Sequence, residues 1–199
     1  FRSRTISHIT DLDGVNAKIA EILRHAGYTS VQDVFSASVD ELCNLEGLGQ
    51  DLRLTAMYDA RYARQTMLPE IGTEGQRRLA GASVLIVGLG GLGSAAAPCL
   101  TGAGVGRIGL ADPDVVSESN LQRQTLYTEQ DVGRPKTQAA AERLAALSSH
   151  TRFECFPEGL TAANARELAA AFDLVVDCCD NFTTRYLIDD ACAACGRPW

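Results

Sequence analysis

Long apolar runs, a basic excess and a second CxxC are all missing from this sequence. No hydrophobic stretch approaches the roughly 20 residues that a membrane helix needs, so no span is expected. No basic opening followed by an apolar core stands at the start, so no secretion signal is expected either. Lysine and arginine number 18 against 25 aspartates and glutamates, a formal net charge of −7. Residues 1–60 carry five basic and nine acidic side chains, net −4, and residues 61–199 carry thirteen and sixteen, net −3. Neither part has the basic footprint of a nucleic-acid-binding surface, so no nucleic acid is expected as a partner. The single CxxC, Cys192 to Cys195, offers two thiolates where a structural zinc takes four ligands.

What is present fits one domain with a small appendage in 199 residues. An apolar share of 46% and a charged share of 22% are those of a soluble globular chain. The seven cysteines are Cys43, Cys99, Cys155, Cys178, Cys179, Cys192 and Cys195. An odd count with two neighbours in sequence reads as reduced thiols in the cytoplasm. Cys192 and Cys195 share a helical pattern with Ile188 and Ala191, so a packing role is expected for them.

Residues 1–60 read as a small helical module. Ile19, Ile22, Leu23 and Ala26 follow helical spacing and Gly27 is a stop signal. Val31 to Phe35 predicts a second helix. Ser38 caps a third, with Glu41 in capping-box spacing. Leu45-Glu46-Gly47-Leu48-Gly49 predicts a tight hairpin into a fourth. This module resembles the helix-hairpin-helix family, whose hairpin presents backbone N–H groups to DNA phosphate. An acidic module without lysines around its hairpin points instead to packing or protein docking.

Residues 61–199 alternate strand and helix after a helix over 73–80. Strands are expected at 83–87, 107–111, 153–156 and 174–178, and helices at 92–101, 135–147, 161–171 and 181–195. The run Ser83-Val84-Leu85-Ile86-Val87, apolar from Val84 on, is the mark of a buried parallel strand. The expected fold is therefore α/β, a doubly wound parallel sheet of the Rossmann-like nucleotide-binding kind. Gly196-Arg197-Pro198 after the last helix predicts a fifth strand, and hence a chain that continues past Trp199.

The glycine run Gly88-Leu89-Gly90-Gly91-Leu92-Gly93 follows a strand and opens a helix, the setting of a phosphate-binding loop. Asp112 ends the next strand, where an acid bonds ribose hydroxyls. These two features alone suit an NAD-dependent oxidoreductase. The run Ser119-Asn120-Leu121-Gln122-Arg123-Gln124 then puts a cation at the same rim. Lys136 opens a helix, where the dipole disfavours it unless it reaches solvent or an anion compensates it. Asp180 suits a Mg2+ that takes one or two carboxylates plus phosphate oxygens, and Asn181 follows it. Cations and a metal acid around one strand-end rim favour a triphosphate over a redox dinucleotide.

These residues carry a resemblance. From residue 61 the chain resembles the adenylyltransferases of the MoeB/ThiF/HesA group, bacterial relatives of ubiquitin-activating enzymes. The matching pieces are Arg61-Tyr62-Ala63-Arg64-Gln65, the stretch from Val84 to Gly93, Ala103-Gly104-Val105-Gly106, Asp112-Pro113-Asp114, the run from Ser119 to Gln124, Gly133-Arg134-Pro135-Lys136, and Asp177-Cys178-Cys179-Asp180-Asn181. The resemblance implies adenylation, with MgATP, of the C-terminal glycine carboxylate of a ubiquitin-like sulfur-carrier protein, and release of pyrophosphate. It implies that Gly91 approaches the nucleotide and Asp112 the ribose. Asn120, Arg123 and Lys136 would position the phosphates, Asp180 would bind Mg2+, and Arg64 would reach across a homodimer interface.

The resemblance does not cover residues 1–60. The family's second half, with two zinc-binding CxxC pairs in many members, is not in this sequence. Zinc is therefore expected only beyond Trp199, and Cys192 and Cys195 are not assigned to it. Cys179 stands where threonine is common and reads as a tolerated small residue, not a nucleophile. A non-catalytic scaffold relative and an NAD-dependent oxidoreductase remain the alternatives.

Overall fold

The computed structural model describes residues 8–11, 15, 17–37, 41, 45 and 60–199. The chain divides into two compact units at Met67/Leu68. In the first unit, α1 (Ala17–His25) ends before Gly27, whose φ of 93° is left-handed, and α2 (Val31–Ser36) follows. Ile9, Ile19, Ala20 and Leu23 form its small core. Ser30 caps α2 in a box that sequence reading missed. Its Oγ accepts from Asp33 N–H at 3.1 Å, and Asp33 Oδ2 accepts from Ser30 N–H at 2.7 Å. Its signal, Ser-x-x-Asp before an apolar residue, was there to be read. Residues 60–66 are helical. Ser38, the Glu46–Gly49 hairpin and the fourth helix lie outside the described residues.

The second unit is the expected α/β domain. After α3 (Gly72–Gly81) come β1 (Ser83–Val87), α4 (Gly93–Ala103), β2 (Arg107–Ala111), α5 (Lys136–Leu147), β3 (Arg152–Phe156), α6 (Ala165–Ala171), β4 (Leu174–Asp177) and α7 (Phe182–Cys195). The four strands are parallel in the order β3-β2-β1-β4. Alternation along β1 divides the core. Val84 and Ile86 face α4 and α5 with Ile108, Leu110, Ala97, Ala140 and Leu144. Leu85 and Val87 face α6 and α7 with Leu168, Phe172, Val175, Ile188 and Cys192. Ile86, Leu85, Ile108 and Leu110 are fully buried, each stabilising the fold by roughly 1.5–3 kcal/mol relative to exposure. Cys192 thus packs in the core, as its helical spacing implied.

The central strands are buried along nearly their whole length, whereas β3 carries only exposed and half-buried residues, as suits a sheet edge. Arg107 Nε and Nη2 grip Glu154 Oε1 and Oε2 at 3.0 and 2.8 Å, with the guanidinium 4.0 Å over the Phe172 ring. Several boundaries depart from expectation. α6 starts at Ala165, because Asn164 Oδ1 accepts from Thr161 N–H at 2.8 Å and closes a turn over the residues expected to be helical. Pro135 is extended, with ψ 131°, and caps α5 from outside. β4 ends at Asp177, whose carboxylate takes the Cys179 N–H at 3.0 Å and turns the chain before Cys178 can continue the strand. The last residues return to the β4 edge, where Val175 N–H donates to the Pro198 carbonyl at 3.1 Å.

Candidate nucleotide site

β1 and β4 are neighbours, yet α4 leaves β1 toward one face and α7 leaves β4 toward the other. The crevice between their carboxyl ends is the switch point at which ligands bind in doubly wound sheets. The glycine loop stands in it. Gly88 has φ 92°, and a Cβ there would lie 2.7 Å from the Cys178 carbonyl oxygen. A Cβ on Gly93 would run into the Gly88 carbonyl. These glycines let the loop fold against the start of the β4 connection. Gly91 has open space around it. Leu92 heads α4 without a side-chain cap, and the N–H groups of Gly90, Gly91 and Leu92 donate to no protein group among the described residues. Such N–H groups at a helix start suit a phosphate.

The loop is pinned through Leu89. Asp112 Oδ2 accepts from Leu89 N–H at 2.6 Å, and Tyr127 donates its hydroxyl to the Leu89 carbonyl at 3.0 Å. Burial first, and then the Asp112 and Asp131 carboxylates, push the Tyr127 phenol well above its ordinary range, so it remains a donor. Asp112 is buried, and its Oδ1 takes the Asp114 N–H at 2.8 Å. Lys136 is buried at the start of α5, with Nζ 2.8 Å from Asp114 Oδ2 and 3.9 Å from Asp112 Oδ1. Of the two fates open to this lysine from its position, the structure takes compensation by an anion.

In the run from Ser119 to Gln124, Asn120 Oδ1 accepts from Ser117 N–H at 3.1 Å, and the Ser119 and Ser117 hydroxyls lie 3.0 Å apart. Leu121 packs on the core beside α4 and α5, and Gln122 is exposed. Arg123 is exposed and donates to the Ser119 carbonyl at 3.0 Å. Gln124 is buried beside Gly90, and its Oε1 has no hydrogen-bond partner among the described residues.

On the β4 side, Asp177 Oδ2 accepts from Arg185 Nε at 2.6 Å, and Oδ1 accepts from the Cys179 thiol at 2.8 Å. Burial raises the Asp177 carboxyl, but hydrogen bonds from Cys179 and Arg185 outweigh it and hold the group below its ordinary value. Burial and the Asp177 bond push the Cys179 thiol up, which suits a structural residue and not a nucleophile. Asn181 caps α7, its Oδ1 accepting from Thr184 N–H at 2.9 Å. Asp180 is exposed and makes no hydrogen bond or ion pair among the described residues. Among those residues no cluster of three or more His, Cys, Asp or Glu could hold a metal by itself. Asp180 could hold Mg2+ with phosphate oxygens completing the shell, the ligand set that ion prefers. Arg64 is exposed on the helical residues 60–66 of the other unit. Sequence reading missed Tyr127 and Arg185, and it named Asp114 only as part of a matching piece. Nothing local marks the first two, because their partners lie 38 and eight residues away on other elements. Among the described residues no helix is long and apolar enough to cross a membrane.

Residues 6–52 match the model of the SAM-like helix-hairpin-helix tandem. A sulfur carrier protein adenylyltransferase of Thermus thermophilus is 52% identical over 138 residues, 69% of this chain and 51% of that protein. The adenylyltransferase and sulfurtransferase MOCS3 of Mus musculus is 51% identical over 138 residues, covering 69% of this chain and 30% of its own length. The chain thus spans about half or less of these relatives. Among solved structures, TcdA (CsdL) superposes with a TM-score of 0.68 at 26% identity, over 72% of this chain and 58% of its own. The ThiF family model matches residues 62–199, more than half of the sequence, and the chain belongs to the ThiF family.

Proposed function

We propose that the parent protein is an ATP-dependent adenylyltransferase that activates the C-terminal glycine carboxylate of a ubiquitin-like sulfur-carrier protein. The observation that carries this reading is a buried lysine and an exposed, uncommitted aspartate on opposite sides of one glycine loop. A dinucleotide redox site has no use for that pair. The names of the Thermus and mouse relatives support the same activity.

In this reading the N–H groups of Gly90 and Gly91 face phosphate, with Gly88 and Gly93 shaping the loop. Asp112 meets the ribose while it holds Leu89. Lys136 and Arg123 offset the charge of the triphosphate, Asn120 helps position it, and Ser119, Leu121, Gln122 and Gln124 build that wall. Asp180, with Asn181 beside it, would hold a Mg2+, which would draw charge from the leaving pyrophosphate. The carrier carboxylate attacks the α-phosphorus, its new P–O bond forming as the bond to pyrophosphate breaks. Most of the catalysis is then positioning and electrostatic stabilisation. Arg64 serves the site of a second protomer in a homodimer. Residues 1–60 form a docking module and residues 61–199 the ATP-binding domain. Six described cysteines are free, in keeping with the cytoplasm.

ATP–pyrophosphate exchange by the full-length protein, with a panel of carrier proteins, tests this. Arg123→Ala and Asp180→Ala are expected to abolish exchange while the fold is kept. Undiminished exchange in both variants contradicts the assignments.

A further inference from the structure

The two carboxylates that face Lys136 are bound to the protein in different ways. Asp112 is 6% exposed, and both its oxygens are committed to backbone N–H groups, Leu89 at 2.6 Å and Asp114 at 2.8 Å. The Asp114 side chain is 67% exposed and has no other side-chain partner than Lys136 among the described residues. The lysine side chain itself is only 6% exposed. A buried ammonium is thus covered on its solvent side by a carboxylate that water can solvate equally well. The Asp114 backbone is held independently, its N–H by Asp112 and its carbonyl by the Lys136 N–H at 3.0 Å. The carboxylate can therefore leave by a rotamer change alone, with the chain in place.

We propose that Asp114 is a stand-in anion. Its carboxylate occupies Lys136 in the empty site, and a phosphate oxygen of the incoming ligand displaces it into solvent. The proposal rests on the nucleotide reading of this crevice. A lysine at a helix start, shielded from water, needs a counter-charge at all times. Asp114 supplies one and keeps the ammonium aimed. It also sets a threshold: a polyphosphate with several charges displaces a single carboxylate, and a monoanion does not. Removing the Asp114 charge opens Lys136 and removes a repulsion against the ligand, so polyphosphate affinity rises.

The test is calorimetric titration of metal-free tripolyphosphate into the full-length protein. Asp114→Asn is expected to bind about three- to tenfold more tightly than wild type, the size of one near-surface charge interaction. Asp114→Glu, which keeps the charge, is expected to bind like wild type. The double variant Asp114→Asn with Lys136→Met is expected to lose the gain. Equal or weaker binding by Asp114→Asn at an unchanged melting temperature overturns the proposal. So does a gain that survives the loss of Lys136, or no binding by any of the proteins. If Asp114→Asn does not fold, Asp114→Ser carries the same test. ATP–pyrophosphate exchange separates this inference from the function it rests on. Absent exchange with the tripolyphosphate gain intact sinks adenylation alone, and normal exchange without the gain sinks the stand-in alone.

Discussion

The two walls of the crevice are built on opposite plans. On the β2 side the buried charges are engaged before a ligand arrives: Asp112 holds Leu89 and Asp114, and Lys136 is buried against Asp114. On the β4 side, Asp177 is equally committed, to Arg185 and Cys179, while Asp180, three residues on, is exposed and uncommitted. A cation that must stay charged in a buried place needs a partner at all times. A carboxylate that is to receive a mobile metal is better left hydrated. The contrast is that between a fixed charge supplied by the protein and a charge that would arrive with the substrate.

The largest effect is expected at the loop that joins the walls. Gly93→Ala drives a Cβ into the Gly88 carbonyl and should destabilise the domain by about 3 kcal/mol. Gly91→Ala, with open space around it, should change stability by no more than about 0.5 kcal/mol while obstructing the nucleotide. Chemical denaturation alongside ATP titration checks both. Equal stability losses in the two variants would remove the distinction between a packed and a ligand-facing glycine.

An intermediate effect is expected on the β4 wall. The folded protein holds Asp177 below its ordinary value of 3.8. The unfolded chain therefore binds this proton more readily, and the group adds stability above that value which is lost as pH falls through the lower folded value. Asp177→Asn is expected to lower stability at pH 7 by about 1 kcal/mol, because Arg185 is partly exposed. The variant and wild type should converge as the pH is lowered past the folded value of Asp177. A difference independent of pH would mean that shape and not charge holds this turn. An effect of comparable size is expected on the β2 wall. Tyr127→Phe removes one hydrogen bond to Leu89 and is expected to cost about 0.5–1.5 kcal/mol by thermal melts.

Much of this was legible in the sequence, for a physical reason. Ser83–Val87 is apolar at four consecutive positions because it is buried on both faces, and the glycine run must follow such a strand to reach a phosphate. The positions of Asp112, Lys136 and Asp180 at one rim follow from the parallel topology, since each stands just past a strand or opens a helix at the same end. What was not legible depends on side chains meeting across the fold. The Lys136–Asp114 pair spans 22 residues and the Tyr127–Leu89 bond 38, and no local pattern encodes either. Helix starts were misplaced where a side chain took over a backbone N–H, as Asn164 does before α6.

The central claim is that this crevice takes a triphosphate. Equilibrium titration of the full-length protein with MgATP and, separately, with NAD tests it most directly, with Lys136→Met as control. The expected result is saturable MgATP binding that the variant loses, and no competition by NAD. NAD binding as tight as MgATP binding, or MgATP binding indifferent to Lys136, would contradict the account.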